Sequence, residues 1–356
     1  MSRFIETGKH NSFPAGVFTF PDFDVSWAGS SLPWRPGFCF GSEDGRIRFV
    51  EVAGTGGSVK AFPATTTDEA VNSVAFSGGM MAVSTRAEVV FWKTMAGPEE
   101  EVERTIYSGG AHEVIASRAG RFIAPLGTRG ILITGPGFVD LKTTIVKPRG
   151  KPFYSYKVAS LASGAEGESL IIAARREGIV ISSVPSEGGG VVRMLKAPGS
   201  DIVDVCGLDS ESYPLAAAAL GIDRTVYLMR DVHDVGRTPT LRFPGLKGRA
   251  YRLLSAHGHL FMLTSEFLYA FPDLAARFLG DGRGDGPMMA RALGYQAVDA
   301  YLADEWLLVV MPDSVISMKV DDFAAKYETR VVETSPEFEV PAWEQSASLP
   351  LDYAAI

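Results

Sequence analysis

A strand–turn–strand pattern that returns about every 42 to 48 residues constrains this chain more than any other feature. Its clearest copy has an apolar run over 38–42, a polar turn containing Asp44 and Gly45, and a second strand over 47–52. Further copies begin at Met80, Phe122, Leu170, Leu215, Leu260 and Trp306. This spacing is typical of four-stranded propeller blades, and about seven copies are present.

Each copy also needs an inner strand before the pair and an outer strand after it. Inner strands are predicted over 71–76, 202–206 and 297–302, and outer strands over 59–62, 103–107, 143–147, 191–195 and 240–243. Only 273–279 and 321–327 have helical patterns, and both are too short for crossover helices. We therefore predict an all-β fold: a seven-bladed β-propeller of four-stranded antiparallel blades, closed by pairing of the terminal segments.

The prediction divides the chain into an N-terminal arm over 1–15, the propeller over 16–333 and an extended C-terminal tail over 334–356. A ring of blades must close, because open sheet edges pair with other chains. Either 17–20 or 329–333 can supply the outer strand beside 315–320, and the sequence leaves both alternatives open. The tail is expected to be poor strand material that extends over the surface, since it contains Pro336, Pro341 and Pro350.

The charge and composition favour some classes of function over others. A net charge of −8 argues against a field that gathers nucleic acid or anionic membrane. The two cysteines are far apart, and the first residues lack the apolar core of a secretory signal. No apolar run has the length of a membrane helix. We expect a cytoplasmic protein without cofactor or metal, and without nucleic acid or membrane insertion among its partners.

The segment 41–49 resembles the Trp-Asp (WD) repeat family of propellers. It has Ser42 near the end of one strand, Asp44 and Gly45 in the turn, and Phe49 in the next strand; Ser84 and Trp92 stand at the matching places of the following copy. The other copies keep the spacing without these residues, and no Trp-Asp pair occurs. The resemblance implies a rigid platform that binds proteins or peptides and has no chemistry of its own.

Arginines recur in the turns between the second and third strands. Five of these turns in succession contain one: Arg46, Arg86, Arg129, Arg175 (or Arg176) and Arg224. In a propeller such turns lie on one face, so these residues are predicted to form a basic collar that binds an acidic or phosphorylated segment of a partner. The alternative is that each arginine is an ordinary solvated turn residue, paired with an acid such as Glu43, Glu88 or Asp223.

The tail provides a second candidate for binding. Phe338, Trp343 and Tyr353 are apolar anchors among acidic residues, and the segment either orders on a partner or packs on its own propeller. Three groups of residues could suggest a metal site: His257 with His259, Asp231 with His233 and Asp234, and the 281–286 loop. Each lacks the further ligands that it needs. No motif of nucleophilic catalysis or phosphate binding is present.

Three hypotheses on function follow. The first is a non-enzymatic scaffold or adaptor that binds a partner on the propeller face within a multi-protein complex. The second is a propeller hydrolase or small-ligand binder that uses the central channel, which convergent acids with perturbed pKa values would favour. The third, weaker hypothesis is a recognition subunit of a bacterial defence or signalling system.

Overall fold

The chain forms antiparallel β-sheets whose strands follow one another along the sequence as meanders. This computed structural model describes residues 16–19, 25–30, 37–53, 56–63, 69–77, 80–94, 101–117, 119–135, 143–148, 153–164, 167–184, 191–196, 201–208, 210, 213–234, 240–243, 246–272, 274–279, 288–293, 297–303, 306–311, 314–323, 330–334, 337–339 and 344–355. In these ranges, no helix is long and apolar enough to cross a membrane.

Four antiparallel strands make up each meander, which we call a unit, and units are numbered along the chain. The strand β1 (Gly16–Thr19) precedes them. Unit 1 contains β2 (Val25–Ser30), β3 (Gly37–Ser42), β4 (Arg46–Ala53) and β5 (Gly56–Pro63). Unit 2 contains β6 (Ser73–Ser77), β7 (Met80–Ser84), β8 (Glu88–Thr94) and β9 (Glu101–Ser108). Unit 3 contains β10 (Ile115–Ala116), β11 (Phe122–Pro125), β12 (Ile131–Thr134) and β13 (Thr143–Pro148).

The later units repeat this order. Unit 4 contains β14 (Lys157–Gly164), β15 (Gly167–Ala173), β16 (Ile179–Val184) and β17 (Val191–Lys196). Unit 5 contains β18 (Ile202–Gly207), β19 (Ala217–Gly221), β20 (Val226–Met229) and β21 (Thr240–Arg242). Unit 6 contains β22 (Ala250–Ala256), β23 (His259–Thr264), β24 (Leu268–Phe271), the helix α1 (Leu274–Leu279) and β25 (Met288–Leu293).

Unit 7 takes its fourth strand from the beginning of the chain. It contains β26 (Asp299–Ala303), β27 (Trp306–Val310) and β28 (Ser314–Lys319), followed by the helix α2 (Val320–Phe323). The strand β1 pairs with β28, with Val17 opposite Ile316. The competing segment, β29 (Arg330–Thr334), pairs instead with β25 of unit 6. Of the two alternatives for the outer position of unit 7, the N-terminal one is therefore occupied.

The all-β prediction is confirmed, and several of the antiparallel sheets have four strands as predicted, while β29, β30 and β31 extend others. The strand pair predicted from the clearest copy corresponds to β3 and β4, and the outer strands predicted near 143 and 191 correspond to β13 and β17. The two predicted helical segments correspond to the short helices α1 and α2. The turns have the residues that tight connections need, as in Gly45 with a φ of 73°.

The expectation that the tail is poor strand material is wrong. It forms β30 (Glu337–Glu339), which pairs with β21, and β31 (Glu344–Ala355), which pairs with both β17 and β13. Pro350 is opposite Val191, at the end of the pairing with β17, and Leu351 begins the pairing with β13. A proline is tolerated there because the strand changes partner at this point, where one missing N–H disrupts neither ladder.

Apolar clusters lie between consecutive units. Between units 2 and 3, for example, the ring centroids of Phe91 and Phe122 are 5.7 Å apart, and Ala82 and Leu132 are buried in the same cluster. Similar clusters join units 1 and 2, 3 and 4, 4 and 5, 5 and 6, and 6 and 7. The strands of these sheets are apolar on both faces because each described sheet is covered by its neighbours.

The strand β31 is expected to protect the outer edges of units 3 and 4. Deletion of residues 344–356 removes its ladders with β13 and β17, so amides of those strands should exchange with solvent at least tenfold faster. The free energy of unfolding should fall by about 2 kcal/mol or more, since each net hydrogen bond contributes roughly 0.5–1.5 kcal/mol. Hydrogen exchange measures the first effect and chemical denaturation the second.

Amides of β7 and β8 in unit 2 are the internal control and should keep their exchange rates. Unchanged exchange in β13 and β17 after truncation would show that β31 is not paired there.

Candidate partner-binding site

One inner-strand position recurs at the same register in units 1, 2 and 4 to 7. It lies opposite the last or next-to-last residue of the second strand, as in the pairs of Asp204 with Leu220 and of Arg252 with Leu263. Units 1, 5 and 6 have a register shift just before it, as expected for a β-bulge. Trp27 occupies it in unit 1, and Ser73, Lys157, Asp204, Arg252 and Asp299 occupy it in units 2 and 4 to 7. In unit 3 the corresponding residue is Glu113, which lies two residues before β10. We call these residues of units 2 to 7 the belt: Ser73, Glu113, Lys157, Asp204, Arg252 and Asp299.

Three belt side chains bind the backbone of the following unit. The Ser73 hydroxyl accepts the N–H of Val114 at 3.2 Å. In the same way, a Glu113 oxygen accepts the N–H of Val158 at 2.7 Å. An Asp204 oxygen accepts the N–H of Leu253 at 2.6 Å. Each N–H belongs to the residue that follows the belt position, so one kind of bond is repeated at three junctions.

Two cations neutralise the belt acids. Lys157 Nζ is 3.0 Å from Glu113, its neighbour in the previous unit. Arg252 is 3.5 Å from Glu113, 4.0 Å from Asp204 and 3.5 Å from Asp299, which come from units 3, 5 and 7. Arg252 therefore joins carboxylates from three sheets. Removing Arg252 would leave these carboxylates without a shared cation, whereas Arg252 keeps two carboxylates when only Asp204 is neutralised.

The belt acids Glu113 and Asp204 differ in whether burial or the neighbouring charges determine the direction of the pKa shift. Burial favours the neutral form of Glu113, but Lys157, Arg252 and the Val158 N–H outweigh it, so its pKa lies below the ordinary value. For Asp204, burial outweighs the attraction of Arg252 and Lys157 and raises the pKa to about 6. Asp204 thus titrates at a higher pH than an ordinary aspartate.

The turns beside the belt are fixed by bonds to the next inner segment. The Ala111 N–H binds the Thr85 carbonyl at 2.9 Å. Gly110 packs so closely here that a Cβ would lie 1.9 Å from the Arg86 carbonyl oxygen. The buried Ser155 hydroxyl donates to the carbonyls of Gly127 at 3.0 Å and Gly130 at 2.7 Å. These bonds hold the residues next to Ser155 against the turn of unit 3.

Four side chains meet next to these anchors, and we call them the His112 cluster: His112, Tyr154, Tyr156 and Arg175. His112 Nε2 is 2.5 Å from the Tyr154 hydroxyl, and its ring centroid is 4.9 Å from that of Tyr156. The Arg175 guanidinium lies 4.3 Å from the Tyr156 centroid and 5.2 Å from that of Tyr154, as in a cation–π contact. Arg175 has a φ of 49°, in the left-handed region that β-turns use.

Three of the five predicted arginines lie near this cluster. Arg175 belongs to it, and Arg86 is close enough that its charge lowers the pKa of His112. Arg129 donates to the Gly110 carbonyl at 2.7 Å and its guanidinium is 5.9 Å from the Tyr107 ring. Within the described ranges, these three guanidinium groups form no ion pair with a carboxylate.

The other predicted arginines have contacts of their own. Arg46 lies 3.8 Å from Asp44 of its own turn, and both side chains are largely exposed. Arg224, with a φ of 69°, donates to the Gly248 carbonyl at 2.8 Å. Arg176 lies 4.0 Å from Asp201. No contact in the described part of the chain joins them to the His112 cluster, so the alternative of local pairing applies to Arg46 and Arg176.

The tail anchors are placed through their backbones. Phe338 pairs with Leu241 and Tyr353 pairs with Val146, whereas Trp343 lies outside the described residues. Among the residues considered as metal ligands, the backbone N–H of His233 binds Asp231 at 2.8 Å, and His257 lies 3.3 Å from Asp321. No three His, Cys, Asp or Glu side chains that the structure describes are arranged to hold a metal ion.

Sequence reasoning missed His112, Tyr154, Tyr156 and the belt. A signal for the belt is the alternation of charge at the inner strands of units 3 to 7, from Glu113 to Asp299. In units 5 and 6 it becomes visible only when the bulge that precedes the belt position is placed in the strand. His112 and Tyr156 directly precede belt residues, so the same alignment finds both.

Solved structures share this arrangement of meanders. One is described as "Crystal structure of WD40 beta propeller domain of Doa1": it has a TM-score of 0.58 and 12% identity, with 85% of this chain and 95% of that chain covered. A second is described as "YCF48 bound to D1 peptide": it has a TM-score of 0.60 and 9% identity, with 89% and 99% covered. The chain has the β-propeller fold. No family model and no curated protein matches this propeller.

These neighbours agree with the WD-repeat-like propeller that the sequence resembles. At such low identity the likeness concerns the fold of the propeller alone.

The raised pKa of Asp204 predicts the sign of a pH effect on the propeller's stability. Between its ordinary value near 3.8 and about 6, the folded state binds more protons at Asp204 than the unfolded state. This contribution to stability is full in acid and is lost as the pH rises through 6. Asp204→Asn, which keeps an acceptor for Leu253, should therefore be more stable than the wild type at pH 7.5, by about 1–3 kcal/mol.

Chemical denaturation at pH 4.5 and 7.5 measures this difference, which should shrink at the lower pH. Glu113→Gln is the matched control, and it should destabilise at pH 7.5 because Glu113 is stabilised in its charged form. Equal losses for both variants at pH 7.5 would contradict the assignment.

Proposed function

We propose that this protein is a non-enzymatic scaffold or adaptor, a closed seven-bladed propeller that binds an acidic segment of a partner protein. The partner docks on the face that contains Arg86, Arg129 and Arg175. The observation that carries the proposal is that these three cations lie together without carboxylate partners among the described residues, in a chain of net charge −8. Carboxylates on a partner would supply the missing charge.

The proposed ring follows from the contacts of the inner strands. The strand β2 packs against both β6 and β26, so unit 1 touches units 2 and 7. Around the remaining units, β14 contacts β18, β18 contacts β22 and β22 contacts β26. In this ring the seven units are the blades, with β1 as the strand that closes unit 7. The proposal keeps residues 1–15 as an arm, 16–333 as the propeller and 334–356 as a tail around its rim.

A rigid ring favours binding through its turns. The turns of units 2, 3 and 4 are fixed by backbone bonds to the segments that follow them, as between Gly127 and Ser155 at 3.2 Å. The arginines are therefore held in place before a partner arrives, and association costs less conformational entropy. The neighbour bound to a D1 peptide supports the same kind of use for this fold.

The channel hypothesis requires acids with perturbed pKa values, and the belt contains them. Their oxygens, however, are engaged: Glu113 and Asp204 accept backbone N–H groups and pair with Arg252. Acids held this way join the blades to each other, and they have no arrangement of nucleophile and base. We therefore assign the belt to cohesion of the ring and the arginine face to binding.

Charge removal on the arginine face should abolish partner capture without unfolding the protein. We expect the triple variant Arg86→Gln, Arg129→Gln, Arg175→Gln to bind an acidic peptide at least about 30-fold more weakly, since each charge-assisted bond contributes roughly 1.5–3 kcal/mol. Fluorescence anisotropy with a labelled hexaglutamate peptide at two salt concentrations gives the affinity. Affinity capture with mass spectrometry tests the same variant against cellular partners.

The double variant Arg46→Gln, Arg224→Gln is the control for charge. Its affinity should be within about twofold of the wild type, because neither residue contacts the His112 cluster. Equal weakening by both variants would mean that net charge, and not this face, drives the binding.

A further inference from the structure

We propose that the His112 cluster is a proton-linked seat for one anionic oxygen group, which binds between Arg175 and His112 while His112 takes up a proton. The inference rests on the proposed function, because Arg175 belongs to the same face. It adds the group that the face recognises and a dependence on pH that the arginines alone do not provide.

The guanidinium of Arg175 is preorganised to bind two oxygen atoms of one ligand. Its guanidinium lies over Tyr156 and near Tyr154, which fixes the plane of the fork. Its backbone is fixed as well, because its carbonyl accepts the Ile202 N–H at 3.1 Å. Within the described ranges, the guanidinium N–H groups of Arg175 bind no carboxylate and no carbonyl. A planar fork with free donors matches the paired oxygens of a carboxylate or a phosphate.

His112 is held in a position from which it can reach the same anion. It is half-buried, with its ring against Tyr156 and Nε2 bonded to the Tyr154 hydroxyl. Its backbone N–H binds the Pro125 carbonyl at 3.4 Å, which fixes the segment before β10. A protonated imidazole donates from both nitrogens, so one N–H can keep Tyr154 while the other serves a ligand.

The charges around His112 oppose its protonation in the free protein. Burial lowers its pKa most, and the positive charges of Lys157, Arg175 and Arg86 lower it further, while Glu113 acts in the opposite direction. Among the described residues, Tyr154 and Tyr156 also face it. His112 is thus mostly neutral near pH 7, and the surplus positive charge around it is the obstacle to taking up a proton.

A bound anion removes that obstacle. Its negative charge offsets the arginines and favours imidazolium, so the pKa of His112 rises when the seat is filled. By linkage, the seat must bind its anion more tightly as the pH falls, by up to about tenfold per pH unit between the free and bound pKa values of His112. The anionic oxygens come either from a side chain or terminus of the partner or from a free oxyanion in solution.

The test follows the imidazole resonances of the full chain by NMR from pH 5 to 8. Two probes are added separately: the hexaglutamate peptide and inorganic phosphate. The free chain should show the pKa of His112 below the ordinary 6.5, and a filled seat should raise it by at least about half a unit. His233 is the internal reference. Its ring is bonded to Ser169 and not to the His112 cluster, so its resonances should not change when either probe is added.

Two variants separate the parts of the seat. His112→Gln should still bind the peptide at pH 8 and lose the tightening at lower pH. Arg175→Gln should lose the change in the pKa of His112 while Arg86 and Arg129 keep part of the affinity. A response of the wild type to phosphate but not to the peptide would support the seat, assign it to a free oxyanion, and overturn the proposed function.

The outcomes distinguish this inference from the proposed function. Peptide binding with an unchanged pKa of His112 would overturn the proton-linked seat and leave the arginine face intact. Failure of both probes to bind at every pH would overturn both.

Discussion

The placement of the inner strands in this propeller depends on hydrogen bonds between a side chain of one unit and the backbone of the next unit. The first strand of each unit lies at the edge of its sheet, so its outward backbone groups have no ladder partner and need other ones. Here the belt residues Ser73, Glu113 and Asp204 each accept an N–H from the following unit. The apolar clusters hold neighbouring sheets together, and these bonds fix how one sheet is placed on the next.

The belt also determines which charges are left for function. Glu113, Asp204 and Asp299 are paired internally with Lys157 and Arg252, so these acids are not available to the arginines of the turns. Arg86, Arg129 and Arg175 lie outside this network, where the backbone bonds of units 2 to 4 hold their turns. In the proposed function, cohesion and recognition use separate sets of charges, and His112 is next to Glu113 in the chain.

The sequence is sufficient to predict the parts of the fold that rest on local patterns. The strands β3 and β4, the short helices and the placement of arginines in turns all follow from residues close together in the chain. The belt does not, because Arg252 meets Glu113 across 139 positions of sequence, and a bulge displaces the alternation that would align them. The tail was predicted wrongly because a proline such as Pro350 is locally unfavourable in a strand. Pro350 lies where β31 changes its partner from β17 to β13, and this position is a property of the tertiary fold.

We propose that hydrogen bonds from side chain to backbone join the units of the propeller into one cooperative structure. Native-state hydrogen exchange at the amides of Val114, Val158 and Leu253 tests it most directly, since each donates its N–H to a neighbouring unit. We predict that all three exchange only through global unfolding, with one shared free energy and the same dependence on denaturant. Exchange of each amide at its own rate, through separate local openings, would contradict a propeller whose units are held together at these junctions.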